Sequence, residues 1–170
     1  MNERAEDPQD ALDALHAQCR SLILATLDEN GCPHASPAPF VRDAGGDYHV
    51  FVSGLAAHTR HLASGRPVSV LLVRDEADSP QIFARARLSQ VCEVTETEVH
   101  APAGSALLAA FAERFGNVIE VLRSLPDFRL FRLHPLDGGR LVTGFGRAYD
   151  LVGGEIRPVG PPSAGDAAQD

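Results

Sequence analysis

The stretch Val52-Ser53-Gly54-Leu55-Ala56-Ala57-His58-Thr59-Arg60-His61-Leu62 decides the reading of this chain. A strand-like segment, Tyr48 to Val52, runs into a short helical segment, roughly Leu55 to Ser64. Hydroxyls, a guanidinium and open backbone N–H groups gather where the two meet. Such a junction can receive a phosphate or another oxyanion. The same residues can also serve only to cap the backbone groups of a helix start. His61 reads as a surface residue, and Tyr48 and Phe51 as core.

Working outward, the flanking segments are short, strand-like and separated by turns. Ser21 to Leu27 is β-rich and ends at Asp28-Glu29-Asn30-Gly31, a turn with Asn-Gly at its centre. His34 to Val41 should return antiparallel, and Pro33, Pro37 and Pro39 make it irregular or an edge. Ser36 sits in this run, where prolines leave the backbone open to a ligand or merely protect an edge from aggregation. Val68 to Val73 is a continuous apolar strand. Gln81 to Val94 reads as one long strand. Alternation there places Gln81, Phe83, Arg85 and Arg87 on one face and Ile82, Ala84, Ala86 and Leu88 on the core face. The two arginines could hold a phosphate or carboxylate, or form a solvated face paired to acids.

Helical periodicity marks two further regions. Asp7-Pro8-Gln9-Asp10 is a helix start, with Leu12, Leu15 and Cys19 following at helical spacing. Ala106 to Leu125 carries an apolar stripe that Gly116-Asn117 may divide and Pro126 ends. Phe128 to Leu133, Arg140 to Gly144 and Arg147 to Val152 close the chain as short strands. From Gly153 onward it is rich in Gly, Pro and Ala and should fray. The organisation is then a helical segment over 1–20, a barrel domain over 21–152 with a helical insertion at about 104–125, and a flexible tail over 153–170. Six to seven antiparallel strands with peripheral helices make a mainly β, closed or nearly closed barrel.

Composition bounds the function. The 170 residues suit one domain with its own core. Fifteen basic against 23 acidic residues give a net charge of −8, which argues against nucleic acid as a partner. No apolar run reaches the roughly 18 residues that span a bilayer. Met1 to Asp10 is acidic and polar, unlike a secretory signal. Cys19, Cys32 and Cys92 are widely spaced, which favours reduced thiols in a cytoplasmic protein over a disulfide framework or a zinc site. The seven histidines include no His-x-x-x-His, so no metal is expected. No Gly-x-Ser-x-Gly elbow supports a hydrolase.

Taken in order, a set of short motifs resembles the haem-utilisation proteins, a branch of the pyridoxamine-5′-phosphate oxidase-like, FMN-binding split-barrel superfamily. They are Ala25-Thr26-Leu27-Asp28, Ala35-Ser36-Pro37-Ala38-Pro39-Phe40-Val41, Ser53, His58-Thr59-Arg60-His61-Leu62, Gln81 to Leu88, Arg114-Phe115-Gly116, Leu125-Pro126-Asp127-Phe128 and Gly144-Phe145-Gly146-Arg147-Ala148-Tyr149. The resemblance implies a split-barrel homodimer with its ligand at the subunit interface. It places FMN against Ser53, His58, Thr59 and Arg60, with Ser36, Gln81, Arg85 and Arg87 completing one shared site. In haem-degrading members the ligating histidine follows the last barrel strand, whereas here the last histidine is His134. Three readings follow: an FMN-dependent oxidoreductase-like dimer, a haem-binding or haem-degrading protein ligated by His58, His61 or His134, and a dimeric binding module without cofactor. The sequence assigns no catalytic residue.

Overall fold

A computed structural model describes residues 7–160. Helix α1, Pro8–Gln18, starts as expected, with the Asp7 carboxylate accepting from the Gln9 N–H at 2.8 Å. Strands β1 (Ser21–Leu27), β2 (Pro33–Arg42) and β3 (Tyr48–Ser53) follow. Helix α2, Ala57–Ala63, leads to β4 (Val68–Val73) and β5 (Arg87–Thr97). Helices α3 (Pro102–Phe115) and α4 (Val118–Arg123) precede β6 (Phe128–Gly144), β7 (Arg147–Val152) and β8 (Glu155–Pro158).

The strands lie in the order β3-β2-β1-β4-β5-β6-β7-β8, every described pairing is antiparallel, and β3 also pairs with β6. Six strands therefore close a barrel, and β7 and β8 extend it. Closure removes the open edges that a sheet of this size would otherwise expose. Alternate residues of each strand fill the interior, among them Leu22, Leu24, Phe40, Tyr48, Val50, Leu72, Leu88 and Phe131. A second apolar layer, Val41, Phe51, Leu108, Phe111, Ile119 and Leu130, seats α3 and α4 on the outside of the barrel.

The prolines of β2 are placed by hydrogen-bond parity. The Phe40 N–H points to β1, donating to the Arg20 carbonyl. Pro33, Pro37 and Pro39 have the opposite parity and sit opposite Leu27, Ile23 and Ser21. Their missing N–H groups therefore cost the β1–β2 ladder nothing. Since β3 reaches β2 only at Phe40 to Arg42, the Pro33–Pro39 half keeps one edge uncovered by β3.

Four expectations need correction. Gln81 to Val94 is not one strand: Ile82–Ala84 forms a 3-10 turn and β5 begins at Arg87. Pro80 precedes the turn, and the Gln81 side chain accepts from the Phe83 N–H at 3.4 Å. The expected alternation fails here, leaving Phe83 84% exposed and Ile82 on the surface. The two expected segments Phe128–Leu133 and Arg140–Gly144 are one strand, β6, in which Pro135 pairs with Cys92 and a register shift at Gln90/Cys92 absorbs the extra residues before Gly139. Gly139 is needed there, since an added Cβ would lie 2.7 Å from the Gln90 Cγ. The expected end of order at Gly153 is also wrong as far as residue 160. Gly153 and Gly154, at φ of 60° and 80°, turn the chain so that Glu155–Pro158 pairs with β7. That gives eight strands in place of six to seven; the remainder of the expected flexible tail lies outside the described residues. Finally, the long helical stretch does divide at Gly116, whose φ is 83°, but the Asn117 side chain makes no capping hydrogen bond.

Candidate functional site

The junction of β3 and α2 is built around Asp127. The Ser53 hydroxyl donates to Asp127 Oδ2 at 2.6 Å and accepts from the Leu55 N–H at 3.1 Å. The Gly54 N–H donates to the Asp127 carbonyl at 2.8 Å. The Thr59 hydroxyl donates to the Ser53 carbonyl at 2.5 Å, and Thr59 is only 1% exposed. Of the two hydroxyls expected to receive a phosphate, that of Ser53 ties the end of β3 to Asp127 and that of Thr59 ties α2 to β3. Arg60 is exposed and lines a cleft of about 640 Å³.

That cleft is flanked by histidines. On β2, His34 and Ser36 share the inward parity with Ala38 and Phe40, while Ala35, Pro37 and Pro39 are exposed. His58 and His61 lie one turn apart on α2. The His58 Nδ1 is 2.7 Å from the Ser36 hydroxyl oxygen. The His61 Nδ1 is 2.8 Å from the Thr26 hydroxyl oxygen on β1. The His34 and His61 rings meet edge to face, with centroids 5.4 Å apart. The His34 Nδ1 is buried and has no hydrogen-bond partner among the described residues. Burial pushes the His58 pKa below its ordinary value, and the fields of His34 and His61 push it the same way.

Gln81, Arg85 and Arg87 lie elsewhere. The Gln81 side chain caps the 3-10 turn. Arg85 donates from Nε to the Arg74 carbonyl and from Nη1 to Glu76 Oε1 at 3.1 Å. Arg87 donates from Nη1 to the Arg85 carbonyl at 2.9 Å. Gln81 and Arg85 line a separate cleft of about 400 Å³ with Phe145 and Arg147. The 640 Å³ cleft lies at the Leu27 end of β1, whereas Arg85 also lines a further cleft beside Ser21 and Ile23 at the other end. At about 3.3 Å per residue, a strand of this length keeps its ends roughly 20 Å apart. Within one chain the expected single site is thus two separate clefts.

Sequence reading named Thr26 only within a motif, gave His34 no role, and took His61 for a surface residue while keeping it among three possible haem ligands. The half-buried His61 is instead packed against Thr26 and His34. Period-two parity carried the signal: outward prolines at 33, 37 and 39 turn His34 and Ser36 inward. Among the described residues no group of three or more His, Cys, Asp or Glu side chains is arranged to hold a metal ion. Cys19, Cys32 and Cys92 are free thiols. No described helix is long and apolar enough to cross a membrane.

Comparison with known proteins agrees with this architecture. Residues 8–139 match the pyridoxamine 5′-phosphate oxidase family. The haem oxygenase HutZ of Vibrio cholerae is 39% identical over 137 residues, 81% of this chain and 77% of that protein. The crystal structure of HutZ, described as the haem storage protein of Vibrio cholerae, superposes with a TM-score of 0.77 at 34% identity, covering 82% of this chain and 99% of that one. The structure of ChuZ from Campylobacter jejuni gives a TM-score of 0.81 at 27% identity, covering 91% of this chain and 64% of that one. A shared barrel, extensive identity and the ordered motifs lead to one conclusion: the chain belongs to the pyridoxamine 5′-phosphate oxidase family of split barrels, in its haem-utilisation branch.

Proposed function

We propose that this protein binds haem in the cleft between β1, β2 and α2. The observation that carries this reading is the set of imidazoles beside that cleft, in a barrel similar over most of its length to a haem oxygenase. The donor set fits the group. His58 and His61 each hold Nδ1 against a hydroxyl, and neither Nε2 has a protein partner among the described residues. The orphaned His34 Nδ1 is a polar atom that a ligand would complete. Arg60 and Arg66 on the rim suit the propionates, because a guanidinium pairs with carboxylates. The volume lies within the range of small-molecule sites, roughly 300 to 1,000 Å³.

Bound haem would supply an iron atom that requires an axial ligand, with oxygen or electron-transfer chemistry belonging to the cofactor. The chain's own contribution is to hold a neutral imidazole, to pair the carboxylates and to shield one face with β2. A homodimer would cover the exposed face of β2 and exposed Phe83 and Phe145. Because β1 separates the two clefts, one ligand meets both Arg60 and Arg85 only if a second copy supplies one of them. The three free thiols suit a reducing, cytoplasmic setting.

FMN is the second reading, favoured by the family match over residues 8–139 and by His58 and Arg60 at the strand-to-helix junction. It would make the protein an oxidoreductase-like flavoprotein. The inward engagement of Ser53 and Thr59 weakens it, since their hydroxyls would have to turn away from Asp127 and the Ser53 carbonyl. Titrating apo-protein separately with ferric haem and FMN tests both readings. Haem binding gives a saturable Soret band; flavin binding gives quenched flavin fluorescence.

A further inference from the structure

Several imidazoles in the barrel could reach a haem, and the geometry around them is not equivalent. His134 does not line the 640 Å³ cleft; its Nδ1 donates to the buried Asp47 carboxylate at 2.6 Å in a cluster with Arg132. His58 does not line the 640 Å³ cleft, whereas His34 and His61 do. His34 meets the His61 ring edge to face, but its Nδ1 has no hydrogen-bond partner among the described residues. His61 has one. The Thr26 hydroxyl is 2.8 Å from the His61 Nδ1 and 3.4 Å from the His34 carbonyl oxygen.

These two contacts determine a tautomer. A hydroxyl has one proton. Both contacts are hydrogen bonds together only if the Thr26 hydroxyl donates to the carbonyl and accepts from a protonated His61 Nδ1. The His61 Nε2 then carries the lone pair. An imidazole that donates through one nitrogen and offers the other is the arrangement of a metal-ligating histidine with an outer partner. Thr26 is buried on β1 and its own carbonyl partner belongs to β2, so two paired strands of the barrel hold the relay.

From this we infer that His61 is the axial iron ligand, through Nε2, and that Thr26 is the positioning residue that fixes its tautomer. The inference rests on the haem reading above and adds which side chain holds the iron. Coordination forms one Fe–N bond with the Nε2 lone pair and releases no proton. It predicts a division of labour: His61 sets the spectrum, Thr26 sets the affinity, and His134 sets neither.

The test is a ferric haem titration of the purified full chain and of variants, read by absorption and by the Fe–histidine stretch in resonance Raman of the ferrous form. The wild type is expected to show a saturable Soret band and an Fe–histidine stretch. His61→Gly should lose the stretch, and added imidazole should restore the wild-type absorption, which only a folded cleft permits. Thr26→Val should keep the ligand but weaken haem affinity about 10- to 100-fold, the range for loss of an outer partner. His134→Ala should leave the spectrum unchanged, and His58→Ala should keep the Fe–histidine stretch. An unaltered His61→Gly spectrum, or loss of the stretch in His58→Ala or His134→Ala instead, overturns the ligand assignment while the haem reading survives. A wild type without a saturable Soret band overturns the haem reading itself.

Discussion

The barrel treats its histidines in two ways. At the hairpin joining β2 to β3 they face carboxylates: the His49 Nε2 donates to Asp43 at 2.8 Å, and the His134 Nδ1 donates to Asp47 at 2.6 Å. Elsewhere they face hydroxyls: His16 meets Tyr48, His58 meets Ser36 and His61 meets Thr26. A carboxylate accepts from the ring N–H, and Asp47 joins His134 and Arg132 in one cluster. A hydroxyl brings no charge, and burial holds His16 and His58 below the ordinary imidazole pKa. The first arrangement fastens a hairpin; the second prepares a ligand. The contrast separates architecture from chemistry more sharply than residue type does.

Breaking the carboxylate side should give the largest effect. Asp47 is only 7% exposed at its side chain, yet it holds Arg132 and His134 at once. Asp47→Ala is expected to cost about 3 kcal/mol, the lower end for breaking a buried ionic cluster, because both cations can regain water. Urea denaturation measures it, and haem affinity should stay unchanged. A loss well under 1 kcal/mol would show that the carboxylate group does not hold the hairpin.

The hydroxyl side should report through pH. Burial pushes the His16 pKa down from 6.5 to about 4, with the Arg42 charge adding to the shift. The folded state then resists protonation that the unfolded chain accepts, so stability is full above pH 6.5 and falls as pH drops toward 4. Discounted for partial solvent screening, the loss is about 2 kcal/mol. His16→Gln should flatten the stability profile in that window, as read from thermal melts at each pH. A profile equally steep in the variant would assign the acid sensitivity to other groups.

How much of this contrast was legible in the sequence depends on range. Strand β1, the Asn-Gly turn and helix α1 follow from local signals, and each lies where those signals place it. The Gln81–Arg87 region misled because its alternation is genuine but local. Pro80 and the Gln81 cap take the chain out of the ladder before β5 begins. Ser53 and Thr59 were placed correctly, but their hydroxyl partners are a residue 74 positions away and a carbonyl six positions back. No periodicity reveals such choices. The histidine–hydroxyl pairs join β1, β2 and α2, so only closure of the barrel brings Thr26 to His61.

Two smaller effects sharpen the point. Thr59→Val should cost about 1 kcal/mol, the net value of one hydrogen bond, because the Ser53 carbonyl still accepts from the Ala56 N–H. The loss should appear in denaturation, with FMN and haem titrations unchanged. A selective loss of FMN affinity would restore the phosphate role that the sequence suggested. Arg85→Ala should cost less than about 1 kcal/mol, since its Glu76 partner is largely exposed. A denaturation midpoint shifted as far as that of Asp47→Ala would place Arg85 among the structural ions.

The central claim is that His61, partnered by the Thr26 hydroxyl, lines a haem cleft. A competition titration tests it most directly: apo-protein preincubated with excess FMN is titrated with ferric haem while Soret absorbance and flavin fluorescence are recorded together. The account predicts a saturable Soret band with flavin fluorescence as bright as in buffer. Quenched flavin and a haem spectrum no different from haem in buffer would contradict it.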